Sequence, residues 1–277
     1  MKMKISLFQA FAIMLISNTA FSQKGIKGLV NAERAFALYT ASHTIREGFL
    51  QYMDSAGIIF RQGNALNALD TYGKQKPGPA ILSWQPAFAI LSASGDMGVT
   101  TGPYELRAKS LQDTPVARGS FSSVWQINKK GEWKNLADLG VSYNTVYPAV
   151  KQVKEIVLLS KTNKTGKGFD EVLAIDKKFN QALQEKNKTE ILSYLSRDSW
   201  LNIDGEMPIA GIPQISTALL KAPEIVLLNS FAGNISTAGD LAYIYGSVSN
   251  GNKKENYLHI WIFKNRQWQI ILQTIKW

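Results

Sequence analysis

Apolar positions recur at spacings of three and four from Gly25 to about Ala41, where Leu29, Ala32, Phe36 and Tyr39 share one face. This periodicity predicts an amphipathic helix. Ile45, Phe49, Tyr52 and Met53 predict a second helix from about Thr44 to Met53. Gly57 to Phe60 reads as a short apolar strand closed by Gln62-Gly63-Asn64. Thr71 to Pro79, which holds Gly73, Pro77, Gly78 and Pro79, reads as a loop. Strand-like segments follow at Leu82–Ala93, Met97–Leu106, Arg118–Asn128 and Trp133–Tyr143. Pro86 has no N–H to give to a ladder, so the first of these is an edge strand or carries a bulge there. Asn128-Lys129-Lys130-Gly131 is a hairpin turn between two Trp-bearing strands, and Ala108 to Ala117 is a longer polar hairpin loop.

The pattern then restarts. Phe169 to Gln184 places Val172, Ile175, Phe179, Ala182 and Leu183 on one helical side, and Lys188 to Leu195 reads as a second helix. A strand at Ser199 to Ile203, a short helix near Pro213 to Leu220, and strands at Ile225–Thr237, Leu241–Ser249, Glu255–Lys264 and Gln267–Lys276 follow. Ser92-Ala93-Ser94-Gly95-Asp96-Met97 and Ser236-Thr237-Ala238-Gly239-Asp240-Leu241 are the clearest matching stretches. Around them Phe36 matches Phe179, Tyr52 matches Tyr194, Gly63 matches Gly205 and Trp133 matches Trp268. The chain therefore reads as a duplication of one α+β unit of roughly 110–130 residues, near the usual domain size. The units are expected at 23–147 and 169–277, with a connection at 148–168 that carries a lysine excess and the apolar patch Ile156-Val157-Leu158-Leu159.

Residues 1–22 stand apart. Lys2 and Lys4 precede an apolar run from Ile5 to Ile16, and Ala20-Phe21-Ser22 supplies small residues before Gln23, the pattern of a cleaved secretory signal. The run is short for a membrane span. Export to a periplasm or beyond the cell is the expectation. The chain has no cysteine, which excludes disulfides, thiolate catalysis, Cys-type zinc sites and a lipidated cysteine. Its two histidines, His43 and His259, fall one in each repeat, so a His-rich metal site is not expected and no cofactor is called for. The net charge is +10, and losing Lys2 and Lys4, the charged residues of the first 22, leaves +8. That excess is dispersed, with no basic stripe interleaved with aromatics, so a nucleic-acid partner is not expected.

Helices followed by an antiparallel sheet that ends in Trp-bearing strands resemble the nuclear transport factor 2-like superfamily. In that fold helices cover the concave face of a curved sheet to make a cone, and ketosteroid isomerase, scytalone dehydratase and the SnoaL-like polyketide cyclases share it. The first half is similar to a secreted SnoaL-like family of undefined function. The resemblance is carried by Glu33-Arg34-Ala35-Phe36, Ser42-His43, Gly48-Phe49-Leu50, Phe60-Arg61, Leu82-Ser83-Trp84, Ser94-Gly95-Asp96, Thr101-Gly102-Pro103-Tyr104, Ser123-Val124-Trp125 and Asp138-Leu139-Gly140. The resemblance implies two tandem cones and, since the fold hosts unrelated activities, no particular reaction.

In a cone of this kind the inward-facing polar residues are the candidates. Asp138 is the sharpest, a carboxylate in mid-strand between Leu136 and Gly140. In an apolar cavity its pKa would rise into the range of an acid or base. By resemblance to ketosteroid isomerase, Asp138 or His43 would be the base and Tyr104 the donor. Arg61, Trp84, Glu105, Arg118 and Trp125 are the ligand-binding candidates, the tryptophans as core or pocket wall. The plain alternative is that Asp138 pairs with Arg61 or Arg118 as a structural ion pair. Asp96 and Asp240 follow glycine and read as turn chemistry. Extending the offsets puts Gln273 at Asp138, Lys186 near His43, Val248 at Tyr104 and Leu228 at Trp84, so a site is expected in the first repeat. The second repeat would then serve as a structural partner or as a pocket of different chemistry, lined by Trp200, Tyr243, Tyr245, His259 and Trp261. Three functions stay open: binding of a small apolar or amphipathic molecule, an isomerase, dehydratase or hydrolase using Asp138 or His43, and assembly. The last would take the form of a homodimer or of a pseudo-dimer within one chain.

Overall fold

The computed structural model describes residues 25–159, 168–221 and 226–277; the signal-like segment at 1–22 lies outside them. The first unit runs α1 (Gly25–Ser42), α2 (Ile45–Tyr52), β1 (Met53–Arg61), β2 (Asn64–Asn67), α3 (Ala68–Gly73), β3 (Ile81–Trp84), β4 (Phe88–Leu91), β5 (Met97–Arg107), β6 (Ala117–Ile127) and β7 (Trp133–Ser142). The connection contributes β8 (Lys154–Val157), which adds to the first sheet parallel to β4. The second unit runs α4 (Phe169–Gln184), α5 (Lys188–Tyr194), β9 (Leu195–Ile203), β10 (Ile209–Ala210), α6 (Ile212–Leu220), β11 (Val226–Ile235), β12 (Leu241–Asn250), β13 (Lys253–Lys264) and β14 (Gln267–Ile275). The sheet orders, β2-β1-β7-β6-β5-β4-β8 and β10-β9-β14-β13-β12-β11, repeat the same wiring, with a parallel pair at β1·β7 and at β9·β14.

Local chemistry explains most of the elements. Thr44 caps α2 by accepting from Glu47 N at 3.1 Å, and its hydroxyl donates to the Glu47 carboxylate at 2.7 Å. Asn187 caps α5 the same way, with Glu190 N at 3.2 Å. Asn67 accepts from Asp70 N at 2.9 Å and starts α3, so Thr71 to Gly73 is helical where a loop was expected. A local cap prevails there over the breakers that follow. The long strand expected at Leu82–Ala93 is broken at Gln85-Pro86 into β3 and β4, both paired with β5. Gly102 on β5 makes room for that break: a Cβ there would lie 2.1 Å from the Gln85 carbonyl oxygen. Gly246 stands in the same relation to Asn229 O, at 2.0 Å.

Each sheet has two faces. The inner face of the first packs Leu29, Phe36, Phe49, Met53, Ile59 and Trp125 under the helices. The inner face of the second packs Val172, Phe179, Ile191, Leu201, Ile215 and Trp261. The outer faces meet each other. Phe88, Ile90, Val99, Val124 and Leu139 of the first sheet form one buried cluster with Leu241, Leu258, Ile260 and Leu272 of the second. A buried polar seam crosses this contact, where Asn202 Nδ2 donates to Thr101 Oγ1 at 3.0 Å and Ser122 and Thr274 share a hydrogen bond at 2.6 Å. At the rim the matching turns clasp each other. Ala93 N donates to Asp240 Oδ2 at 2.9 Å and Thr237 N donates to Asp96 Oδ2 at 3.0 Å. Each aspartate keeps its other oxygen for its own turn, from Ser92 at 3.1 Å and Ser236 at 2.8 Å. Turn chemistry thus accounts for only half of Asp96 and Asp240.

Candidate binding cavity of the first unit

The inner face of the first sheet holds the site. Register places Thr100 beside Ser123 and Ser123 beside Asp138, so these three side chains share a face. Along the same strands lie Gly102 and Tyr104, Phe121 and Gly119, and Gly140 and Ser142. Glycine at 119 lets the Tyr104 ring lie against the sheet, whereas position 140 has room for a Cβ. A Cβ at 119 would come within 2.5 Å of that ring, one at 140 within 3.5 Å. The Tyr104 hydroxyl ends on Ser142 Oγ at 2.9 Å.

Above this surface is a cavity of about 200 Å³ lined by Phe49, Tyr72, Leu82, Trp84, Tyr104, Phe121, Asp138 and Gly140. Asp138 is its single carboxyl group. Ser123 Oγ donates to Asp138 Oδ2 at 2.7 Å. Burial pushes the carboxyl up to about 7; the Ser123 hydrogen bond opposes this and the negative charge of Glu33 adds to it. The Tyr72 phenol is pushed up by burial and then by the charge of Asp138. Burial also raises Tyr104, opposed by its bond to Ser142, while the charges of Asp204 and Asp138 add to the rise.

Glu33 is the residue that sequence reasoning passed over. It is fully buried on α1 and accepts from Trp84 Nε1 at 2.5 Å, from Trp125 Nε1 at 2.8 Å and from Thr100 Oγ1. Burial raises its pKa against these donors. Its role is positional: one oxygen pins the indole of Trp84, a cavity wall, and the other pins Trp125 beneath. The signal was present. Glu33 stands four residues after Leu29 and three before Phe36, on the apolar face of its own helix. Asp176 occupies the same place between Val172 and Phe179.

Several expectations are corrected. His43 is exposed; it stacks on Tyr39 with ring centroids 4.0 Å apart, its Nδ1 lies 3.0 Å from Tyr39 O, and it does not line the cavity. The start of α2 turns it outward. Trp125 is core rather than wall. Arg61 is exposed beside Asp70 and Lys74 in a separate surface hollow. The ion pair once open to Asp138 is absent among the described residues: Arg118 Nε instead pairs with Glu105 at 3.1 Å. Glu105 and Arg118 line a neighbouring hollow, where Trp84 and Tyr104 also appear.

In the second unit the matching wall positions carry larger side chains. His259 sits where Ser123 does, Gln273 at Asp138 and Trp261 at Trp125. Asp176, fully buried, lies against His259 Nδ1 at 2.8 Å and accepts from Trp261 Nε1 at 2.9 Å, Ser230 Oγ at 2.8 Å and Tyr257 OH at 2.9 Å. Burial raises Asp176, but the His259 interaction and these hydrogen bonds outweigh it and hold the carboxyl below its ordinary range. Trp200, Tyr243 and Tyr245 do not join this group. They face the first unit, Trp200 against Phe88 at 5.8 Å and Tyr245 against Phe60 at 5.4 Å, because alternation on the strand sends them to the outer side. Among the described residues no group of three or more His, Asp or Glu side chains is placed to hold a metal, and no helix is long and apolar enough to cross a membrane.

Each unit is an α+β cone with its helices packed on one face of its sheet, and the chain holds two such units in tandem. No protein-family model matches the sequence, and no curated protein matches it. Among solved structures, a protein of unknown function from Pectobacterium atrosepticum is similar at 18% identity and a TM-score of 0.34, over 39% of this chain and 88% of that one. A cystatin-like-fold protein of unknown function from Nostoc punctiforme is similar at 17% identity and a TM-score of 0.33, over 38% of this chain and 87% of that one. An NTF2-like protein of unknown function from Pseudomonas putida is similar at 14% identity and a TM-score of 0.33, over 38% and 82%.

Proposed function

We propose that the first unit binds a small apolar or amphipathic molecule in the cavity under Trp84 and Tyr104. One observation carries this: an apolar hollow whose single carboxyl group, Asp138, is pushed up to about 7 and has no ionic partner among the described residues. Sites for small molecules have this make-up, an apolar wall with one or two placed polar groups. The second cone, with larger side chains at the matching positions, acts as support. The contact of the two outer faces supports a pseudo-dimer made by one chain, working as a monomer. The leader-like start of the sequence supports export.

The test uses N-phenyl-1-naphthylamine, whose fluorescence rises in apolar sites. The full chain binds it saturably, and Gly140→Val abolishes binding while thermal unfolding stays cooperative. A Cβ at 140 meets its neighbours only at ordinary contact distances of 3.5 and 3.7 Å, so the added methyls enter the cavity rather than the strand. Absence of binding to the wild type, or equal binding to both, removes the reading.

The raised Asp138 carboxyl also favours a second reading, proton transfer at a carbon next to a carbonyl. Deuterium exchange into 2-indanone, followed by NMR, would then be faster with the wild type than with Asp138→Asn. Equal rates end that reading.

A further inference from the structure

The cavity adjoins a second hollow of about 290 Å³, and Trp84 and Tyr104 belong to both. This shared wall is held from behind, Trp84 by Glu33 at 2.5 Å and Tyr104 by Ser142 at 2.9 Å. A molecule too long for the inner cavity therefore extends past fixed rings into the outer one.

The outer hollow has a defined electrical character. Two guanidiniums share one carboxylate: Arg118 takes Glu105 Oε1 at 3.1 Å and Arg107 takes Glu105 Oε2. Both carboxylate oxygens are thus occupied. Burial works to raise Glu105, but these bonds and the two positive charges hold it below its ordinary range. One positive charge is left over. Arg107 offers few free donors for it, since its Nε and one terminal nitrogen already donate to Asp113 O and Ser83 Oγ, each at 3.1 Å. Arg118 is different. Its one described hydrogen bond uses Nε, its side chain is 24% exposed, and it lines the hollow. Among the described residues its two terminal nitrogens have no hydrogen-bond partner, and they form a planar pair of donors in the wall of that hollow. Such a fork matches a carboxylate, sulfonate or phosphate edge.

We propose that the ligand of the first unit is an apolar molecule with one anionic oxygen head group, its body in the inner cavity and its head on Arg118. This rests on the inner cavity being a binding site. The geometry assigns Arg118 as the specificity-determining residue, Glu105 as the internal anion that shares it, and Trp84 and Tyr104 as the rails between head and body.

The test compares two probes that share a ring system. 8-Anilinonaphthalene-1-sulfonate differs from N-phenyl-1-naphthylamine by the sulfonate alone. On the wild-type chain the sulfonate binds at least tenfold more tightly. Arg118→Met removes that advantage and leaves the neutral probe within twofold. Glu105→Gln, which releases Arg118 from its partner, keeps or increases the advantage, again with the neutral probe unchanged. Near-UV circular dichroism confirms that each variant is folded, since a loosened chain would take up both probes. If Arg118→Met leaves the sulfonate unaffected, or weakens both probes alike, the anionic-head inference is wrong and the cavity reading survives. If neither probe binds the wild type, both are wrong.

Discussion

Asp138→Asn offers a direct measure of what the cavity does to a charge. The substitution keeps the shape, and the amide oxygen still accepts from Ser123 Oγ, 2.7 Å away in the wild type. It removes the ability to ionise and puts an amide N–H in place of the second oxygen, as the protonated carboxyl puts an O–H there. In the folded chain the carboxyl is raised from 3.8 to about 7, chiefly by burial. A carboxyl raised in the folded state binds a proton that the unfolded chain has released. Its contribution to stability is therefore full below pH 3.8, falls as pH rises toward 7, and is flat above. At about 1.4 kcal/mol per pH unit, the ceiling on the cost of ionised Asp138 is about 4 kcal/mol. The carboxyl opens onto a cavity that water can enter, so roughly 1–3 kcal/mol is expected. For a chain of this size that corresponds to roughly 2–10 °C in melting temperature. Thermal unfolding by circular dichroism at pH steps from 4 to 8 tests this. The variant should match the wild type near pH 4 and exceed it increasingly toward pH 8. Parallel curves across that range would show that Asp138 is not held against its charge, and the argument for a low-dielectric cavity would go with it.

Glu33→Gln places an amide N–H among the two indoles and the Thr100 hydroxyl that now donate to the carboxylate; a loss of about 1–3 kcal/mol in urea unfolding is expected, with a shift in tryptophan emission. An unchanged emission spectrum would mean that Trp84 and Trp125 are not held by this group. Asp240→Ala removes the acceptor for Ala93 N and for Ser236 Oγ; it should cost about 1–2 kcal/mol and speed hydrogen exchange at the Ala93 amide, with the first unit's inner core unaffected. Exchange at Ala93 equal to wild type would remove the reciprocal turn contact from the account of how the units are joined.

The cones were legible because helix and strand periods differ, and the chain repeats the change between them. Asp138 was legible for a related reason: alternation assigns it an inward face, and a carboxylate on that face is unusual. The rest was hidden by limits of the same signals. Glu33 lies on the apolar side of α1, but one charged residue in a helix reads first as solvent-facing, and its partners Thr100 and Trp125 are 67 and 92 residues away. His43 was attractive by residue type alone, and the turn into α2 decides where it points. α3 was masked by the Gly and Pro residues that follow it. Trp200, Tyr243 and Tyr245 were placed in the wrong layer because both faces of the second sheet are buried, so hydrophobicity does not say which face is the cone.

The two cones differ in what fills them, and the differences all lie on one face. Register equates Thr100 with Ile244, Ser123 with His259, Asp138 with Gln273, Gly140 with Ile275 and Phe121 with Tyr257. All five of these exchanges add side-chain atoms, Ser123 to His259 and Gly140 to Ile275 the most. His259 and Tyr257 then reach the helix carboxylate that Thr100, Ser123 and the indoles reach in the first unit. The carboxylate on the helix is kept in both units, so it belongs to the fold. The space is kept only where the strands carry hydroxyl-bearing and glycine residues. A hollow in a close-packed interior forfeits contacts that its lining would otherwise make. The second unit shows how this sheet can be closed with larger side chains, while the first leaves a cavity at that position and sets an ionisable group in its wall. Within one chain the filled cone therefore serves as the reference against which the open cone reads as a site.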